Sequence, residues 1–303
     1  MASRDRRSAI YLTVFASLVW GTSFPGTKWG LQYVGNDVFF LWLRFLVAAA
    51  LTLTVVAFFR KVKFSIFKEP IIWLIGAFNA GGFALQYIGL TLTTASKTAL
   101  LVDINIVGVA IISYFAFRER LGRIQTAGIV LGVLGTFFLT LDRDLKFDQA
   151  QVVGDVLVYI AGWSWAFFIV LNKKVLSRYT GVEISSAAIG TCALWLTIPM
   201  VYLLLTGGGN FSFEVPGLGA IVYLAIFCTS IATLLWALGL EGVSATASAT
   251  IMLVEVLTAL AISITLLHET MSAAAAAGAV LVLAAIYLVA GTGPGEKVSV
   301  KAS

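Results

Sequence analysis

Four ionisable side chains, Lys28, Arg44, Asp103 and Glu255, fall inside long apolar runs of this sequence. A charged group in hydrocarbon is costly unless it is paired or hydrated, so each is a candidate for work on a ligand or an ion. Glu255 stands about eleven residues into its run, roughly 16 Å deep at the helical rise and close to the centre of a bilayer. A carboxylate at that depth suits an ammonium group or a transferable proton. The competing reading is a carboxylate paired with Lys28 or another base to hold helices together; its depth favours function. Arg44 lies nearer a run end, where its stem can snorkel toward the surface or pair with a neighbour. Asp103 and Lys28 read equally as vestibule groups, a solvated face or a structural pair.

The runs that position these groups dominate the chain. Hydrophobic residues make up 60% and charged residues 12% of the 303 positions, which excludes an ordinary soluble domain. The net charge of +5 is dispersed in short clusters between apolar runs, so it reads as a topology signal and not as a nucleic-acid surface. Cys192 and Cys228 both lie in apolar runs without metal or redox spacing, and a buried structural role is expected for each. The first run, Ala9 to Leu31, has no small-residue cleavage site and is long enough to stay embedded.

Ten spans are expected, at about 9–31, 37–59, 70–91, 94–117, 122–141, 152–172, 183–205, 215–240, 244–267 and 272–291. Lone apolar runs of this length satisfy their backbone groups only as helices. With the N-terminus inside, the inner segments hold the clusters Arg4–Arg7, Arg60–Lys68, Arg118–Arg123, Lys173–Arg178 and Lys297–Lys301. The outer segments hold only Lys97, Arg143 and Lys146, the last two among Asp142, Asp144 and Asp148. This asymmetry predicts both termini in the cytoplasm.

Residues 77–139 reappear without a gap at an offset of 150: Gly89, Ala95, Ala99, Ser113, Glu119 and Gly128 fall on Gly239, Ala245, Ala249, Ser263, Glu269 and Gly278. Five spans per half is an odd number, so the second copy is expected upside down. The flanking charges agree, because Arg118-Glu119-Arg120 on the inner side becomes His268-Glu269-Thr270 on the outer side. An inverted repeat in a helical membrane protein is transporter architecture, with its site near the midplane between the halves. The repeat sets Asn105 opposite Glu255, and the stripe Asn79, Phe83, Gln86 opposite Thr229, Thr233, Trp236. Mild polarity on one stripe of both copies reads as a hydrated cavity wall. The domains expected are 1–148, an inverted 149–291, and a disordered cytoplasmic tail over 292–303.

The first span carries Leu18-Val19-Trp20-Gly21-Thr22-Ser23-Phe24 with Lys28, the second Arg44-Phe45-Leu46-Val47-Ala48, and the fourth ends in Arg118-Glu119-Arg120-Leu121 ahead of Gly128. In the sixth, Trp165-Ala166, Lys173 and Leu176 match the first span at an offset of 145. This set resembles the drug/metabolite transporter superfamily, its EamA-type members with two five-helix repeats, and within these the YddG-type exporters of aromatic and other amino acids. The resemblance implies an all-α integral membrane protein with ten transmembrane helices around a central cavity. The first, third, fourth, sixth, eighth and ninth helices would line that cavity. The fifth and tenth would pack outside it, which suits the small-xxx-small run Gly128, Gly132, Gly135. It also implies that Arg44 is structural, since the family carries an arginine there whatever the substrate.

Of the eight tryptophans, Trp29, Trp42 and Trp73 lie near span ends as an interfacial belt. Trp20, Trp163, Trp165 and Trp195 lie mid-span, and Trp20 and Trp163 fall on implied cavity helices, where their faces can stack on an aromatic group or a cation. Pro25 between Gly21 and Gly26 can bend the first helix, as a gating hinge or a static kink.

The sequence has no P-loop, no HExxH and no Ser/His/Asp set, and its one histidine, His268, sits in an outer loop, so neither an ATP-driven pump nor an enzyme is expected. Phosphorylated cargo would want several cavity cations, and only Lys28 and Arg44 are available. The expectation is a secondary transporter of the bacterial inner membrane that exports aromatic and other neutral amino acids by alternating access. Its substrate-binding residues are expected to be Trp20, Asn79, Phe83, Gln86, Asn105, Trp163, Trp236 and Glu255. No cofactor, metal or nucleic acid is expected; the partners are the small-molecule substrate and membrane lipid, with proton coupling left open. An aromatic-cation (multidrug) exporter and a non-transporting receptor or scaffold are the alternatives.

Overall fold

The computed structural model describes residues 5–59, 64–92, 98, 101–103, 105–117, 122–140, 149–209, 211–266 and 273–291. The cation clusters at 60–63 and 118–120, Lys97, the acidic loop 141–148, the Glu119 and Glu269 pair, His268 and the tail from 292 lie outside the described residues. Among the described residues the chain is helical apart from short connections, and its one extended pairing is a bridge between Val34 and Phe213.

The helices are α1 (Arg6–Gly21), α2 (Ser23–Leu31), α3 (Asp37–Phe58), α4 (Pro70–Leu92), α5 (Asn105–Phe117), α6 (Arg123–Thr140), α7 (Gln149–Val175) and α8 (Gly181–Thr206). After these come α9 (Val215–Tyr223), a π-helical stretch (Leu224–Ile231), α10 (Ala232–Leu240), α11 (Ala245–Met252), α12 (Val254–Leu266) and α13 (Ala273–Gly291). Among the described residues six stretches are long and apolar enough to cross a membrane: Arg6–Leu31, Asp37–Phe58, Pro70–Leu92, Val152–Val175, Gly181–Thr206 and Val215–Leu240. Four shorter apolar helices, Asn105–Phe117, Arg123–Gly135, Ala245–Ala259 and Ala276–Val289, fall within the remaining expected spans.

Local chemistry accounts for the breaks. Between α1 and α2 the Thr22 hydroxyl donates to the Val19 carbonyl at 2.7 Å, and Pro25, three residues on, has no N–H for the Gly21 carbonyl. Asn36 caps α3 by accepting from the Phe39 amide at 3.0 Å, and Thr180 with Glu183 forms a capping box on α8.

Helix pairings recur under the sequence offsets. α4 packs on α7 as α1 packs on α10, and α5 packs on α7 as α12 packs on α1. The glycines set the contacts. A methyl on Gly89 would meet Val158 and sit 3.0 Å from the Gly154 carbonyl oxygen, while one on Gly239 would meet Thr13 and sit 2.9 Å from that of Ala9. These positions correspond at offsets of 150 and 145. α6 and α13 run antiparallel: Gly128 faces Ala285 and Val289, whereas Gly135 faces Gly278 and Val282. An offset of 150 exchanges the Gly128–Ala285 and Gly135–Gly278 contacts.

Candidate functional site

A cavity with about 70 Å³ of space for water-sized molecules lies between the two sets of helices. Its wall is built from counterparts: Trp20 with Trp165, Phe24 with Ile169, Asn79 with Thr229, Phe83 with Thr233, Val102 with Met252 and Asn105 with Glu255. The residues on each helix follow from its period. Asn79, Phe83 and Gln86 share one face of α4, and Cys228, Thr229 and Thr233 share one face of the π stretch and α10.

The symmetry fails in one direction. Arg44, Phe45 and Gln86 line the cavity, whereas their counterparts Ala188, Ile189 and Trp236 do not; α3 and α8 are matched here from their caps, Asn36 and Thr180. Arg44 and Gln86 lie toward the distal end of the bundle, which carries Leu31, Asp37 and Leu92. At the proximal end Gly181 packs on the Ala237 backbone, and the Glu241 carboxylate accepts from the Gly181 amide at 2.6 Å. There Lys173 also donates to the carbonyls of Leu240 at 2.7 Å and Val243 at 2.6 Å.

Six of the eight expected site residues, Trp20, Asn79, Phe83, Gln86, Asn105 and Glu255, come together on this wall. Trp163 and Trp236 do not. Trp163 packs on α5, where a methyl on Gly108 would meet its ring at 3.3 Å. The residue two places along, Trp165, takes the wall position and meets Phe83 edge-on at 4.7 Å between ring centroids. The offset of 145 that matches Trp165 to Trp20 carried this information. Trp236 is fully buried as part of the proximal floor. It stacks on Phe168 at 5.3 Å and donates its indole N–H to the Ser248 hydroxyl at 3.0 Å. Trp195 faces outward and donates to the Trp73 carbonyl at 2.9 Å.

Four polar residues of the wall have side-chain atoms without a protein partner among the described residues. Among the described residues Asn79, Gln86 and Glu255 make no side-chain hydrogen bond, and the Asn105 Oδ1 is buried without one, although all four residues are buried. Glu255 is in no ion pair with Lys28, which is exposed. Asp103 is buried, engaged with a neighbour and absent from the wall. Arg44, by contrast, belongs to the wall. Its Nε donates to the Thr229 hydroxyl at 2.8 Å and its Nη1 to the Tyr87 hydroxyl at 3.0 Å. Asn105 Oδ1, Trp165 Nε1 and Arg44 Nη2 are buried polar atoms without a partner among the described residues, and all three belong to this wall, as a binding site for something polar would have it.

The model of the EamA-like transporter family matches residues 7–141 and again 152–291. The chain belongs to the EamA-like transporter family. It is therefore a multi-pass membrane transporter built from two copies of one unit. It is 28% identical over 286 residues to an uncharacterized transporter of Archaeoglobus fulgidus, covering 91% of this chain and 95% of that one. It is also 27% identical to a probable amino-acid metabolite efflux pump of Salmonella typhimurium (92% and 93% covered), and 26% identical to one of the same description in Escherichia coli (91% and 93% covered). A solved structure described only as "Crystal structure of protein" superposes with a TM-score of 0.75 at 20% identity, over 94% of this chain and 96% of that one, and shares its fold.

Proposed function

We propose that this EamA-family transporter exports aromatic and other neutral amino acids across the bacterial inner membrane, by alternating access of a midplane cavity. The observation that carries the reading is the wall itself: counterpart aromatic residues, Trp20 with Trp165, flank polar groups that have no protein partner. An aromatic or aliphatic side chain would lie against Trp20, Phe83 and Trp165. Asn79, Gln86 and Asn105 would bond its polar end, and Glu255 would hold its ammonium group or a coupling proton. Two relatives described as amino-acid metabolite efflux pumps, each matched over more than nine-tenths of both chains, support the substrate class.

The antiparallel α6–α13 pair and the exchange of contacts under the repeat offsets support two inverted five-helix repeats, 1–148 and 149–291, in ten spans. The positive-inside charge pattern puts both termini in the cytoplasm. On that orientation the distal end is outside, and the contacts of Gly181, Glu241 and Lys173 lie at the cytoplasmic end. A cation-exporting reading has Glu255 and the aromatic wall in its favour, but the Arg44 guanidinium in the same wall opposes it.

The test is counterflow in liposomes with labelled phenylalanine, threonine, a cationic aromatic dye and a sugar phosphate, with and without a pH gradient. Phenylalanine and threonine are expected to exchange. Dye movement without amino-acid movement would favour the cation reading; no movement of any of them would sink both.

A further inference from the structure

We infer that Arg44 is the carboxylate anchor of the cavity, so that the cargo is a free α-amino acid held at both ends. This rests on the export reading above. Arg44 is 1% exposed, yet its Nη2 has no hydrogen-bond partner among the described residues. Its other two nitrogens are held by neutral hydroxyls on two different helices, Thr229 and Tyr87. The rings of Phe83 and Phe45 lie at 5.0 and 5.7 Å from the guanidinium carbon, which favours the charge without neutralising it. A structural arginine in a membrane protein would be paired to an acid or to carbonyls; this one is fixed in orientation and left with one nitrogen unsatisfied.

The cavity also holds a buried carboxyl group, Glu255, which forms no ion pair with Arg44 or with any other described residue. Two ionisable groups of opposite kind that share a cavity without pairing are each costly to charge alone. A zwitterion satisfies both at once, its carboxylate on Arg44 and its ammonium on Glu255. An amine or an aromatic cation satisfies Glu255 and repels Arg44; a simple carboxylic acid does the reverse. Arg44 thereby sets specificity for molecules that carry both groups, and it does so from the outward half of the wall.

The experiment compares phenylalanine, phenylalaninamide, phenethylamine and 3-phenylpropanoate as competitors of labelled phenylalanine in liposome counterflow. The amide, the amine and the acid are expected to compete at least tenfold more weakly than phenylalanine. Arg44→Gln is expected to raise the apparent KM for phenylalanine at least tenfold and to bring its preference over the amide close to one, with Arg44→Lys partly restoring it. An Arg44→Gln protein with slower transport but an unchanged phenylalanine-to-amide preference would make the residue structural and overturn the inference. Equal competition by the amide in the unaltered protein would overturn it while leaving amino-acid export standing. Failure of phenylalanine and threonine themselves to move would remove both.

A separate observation carries a second inference. Lys173 donates to the carbonyl of Leu240, the last residue of α10, and to that of Val243 beyond it, and its repeat counterpart is Lys28. Lys28 is exposed and makes no bond among the described residues. The carbonyl that corresponds to Leu240 is that of Leu90, at the outer end of α4. We propose that the two lysines are alternating latches: Lys173 holds the inner gate in the outward-open state, and Lys28 caps α4 at Leu90 when the outer gate closes. The readout is labelling of a thiol at position 86, introduced as Gln86→Cys with Cys192 and Cys228 replaced, by a reagent confined to the outside. Lys173→Met is expected to lower that labelling several-fold, because the inward-open state gains population, and Lys28→Met to raise it. Shifts of the same sign in the two variants, or no shift in either, would overturn the latch.

Discussion

Glu255→Gln is expected to cut phenylalanine counterflow by roughly tenfold to a hundredfold, the loss of a charge-assisted hydrogen bond of about 1.5–3 kcal/mol. Glutamine keeps the shape and the hydrogen-bonding oxygen, so the change isolates the charge. Glu255 is buried, lines the cavity and has no partner among the described residues, so the substitution breaks no ion pair described there. The fold should survive with thermal unfolding close to that of the unaltered protein. A pH gradient separates the two roles open to the carboxylate. If Glu255 carries a coupling proton, acidifying the outside speeds export in the unaltered protein and has no effect in the variant. If it holds only the ammonium, the rate falls while the response to the gradient persists. An unchanged rate together with an unchanged pH response would remove Glu255 from the mechanism. Paired with Arg44→Gln, the variant also tests whether the two ends of the substrate are read independently. Because both residues would share one zwitterionic ligand, a non-zero interaction term in that double-mutant cycle is the expected result.

The depth of Glu255 could be read from sequence because a helical rise converts residue number into distance once a span is located. The face of a helix is harder. Trp163 and Trp165 have the same depth to within two residues, yet two residues turn a helix by about 200°, onto its opposite face, and only Trp165 reaches the cavity. The repeat settled what the single helix could not, since Trp165 and not Trp163 corresponds to Trp20. Arg44 was legible as a buried charge but not as part of the wall. What orients it are two hydroxyls, Tyr87 and Thr229, on helices 43 and 185 residues away in sequence. Trp236 shows the limit of symmetry as a guide. Its counterpart Gln86 lines the cavity, whereas Trp236 stacks on Phe168 and donates to Ser248, so equivalent positions have unequal surroundings. The π-helical stretch had no sequence signal at all: Leu224–Ile231 is an ordinary apolar run, and the Cys228 carbonyl within it accepts the Trp20 indole N–H at 2.7 Å.

Gly135→Ala is expected to destabilise the protein by about 2–3 kcal/mol, the cost of overpacking at a contact that cannot relax. The added methyl would sit 2.8 Å from the Gly278 carbonyl oxygen and 2.8 Å from the Val282 amide nitrogen, both backbone atoms of α13. Only separation of α6 from α13 relieves them, and that loses the close approach for which small residues are placed in membrane helices. Gly128→Ala is the instructive contrast, because it lies on the same helix at the same kind of contact. Its methyl would meet the Val289 side chain at 2.5 Å, with the nearest backbone atom, the Ala285 oxygen, at 3.4 Å. Truncating Val289 removes that obstacle. Val289→Ala should therefore restore most of the stability lost in Gly128→Ala and none of that lost in Gly135→Ala. Intrinsic helix propensity works the other way, favouring alanine over glycine by about 1 kcal/mol, so any measured loss understates the steric term. Thermal unfolding in detergent, followed by tryptophan fluorescence, reads the order directly. Equal losses at the two glycines, or rescue of both by Val289→Ala, would mean that α6 and α13 slide freely past one another and that the glycine spacing does not fix their packing.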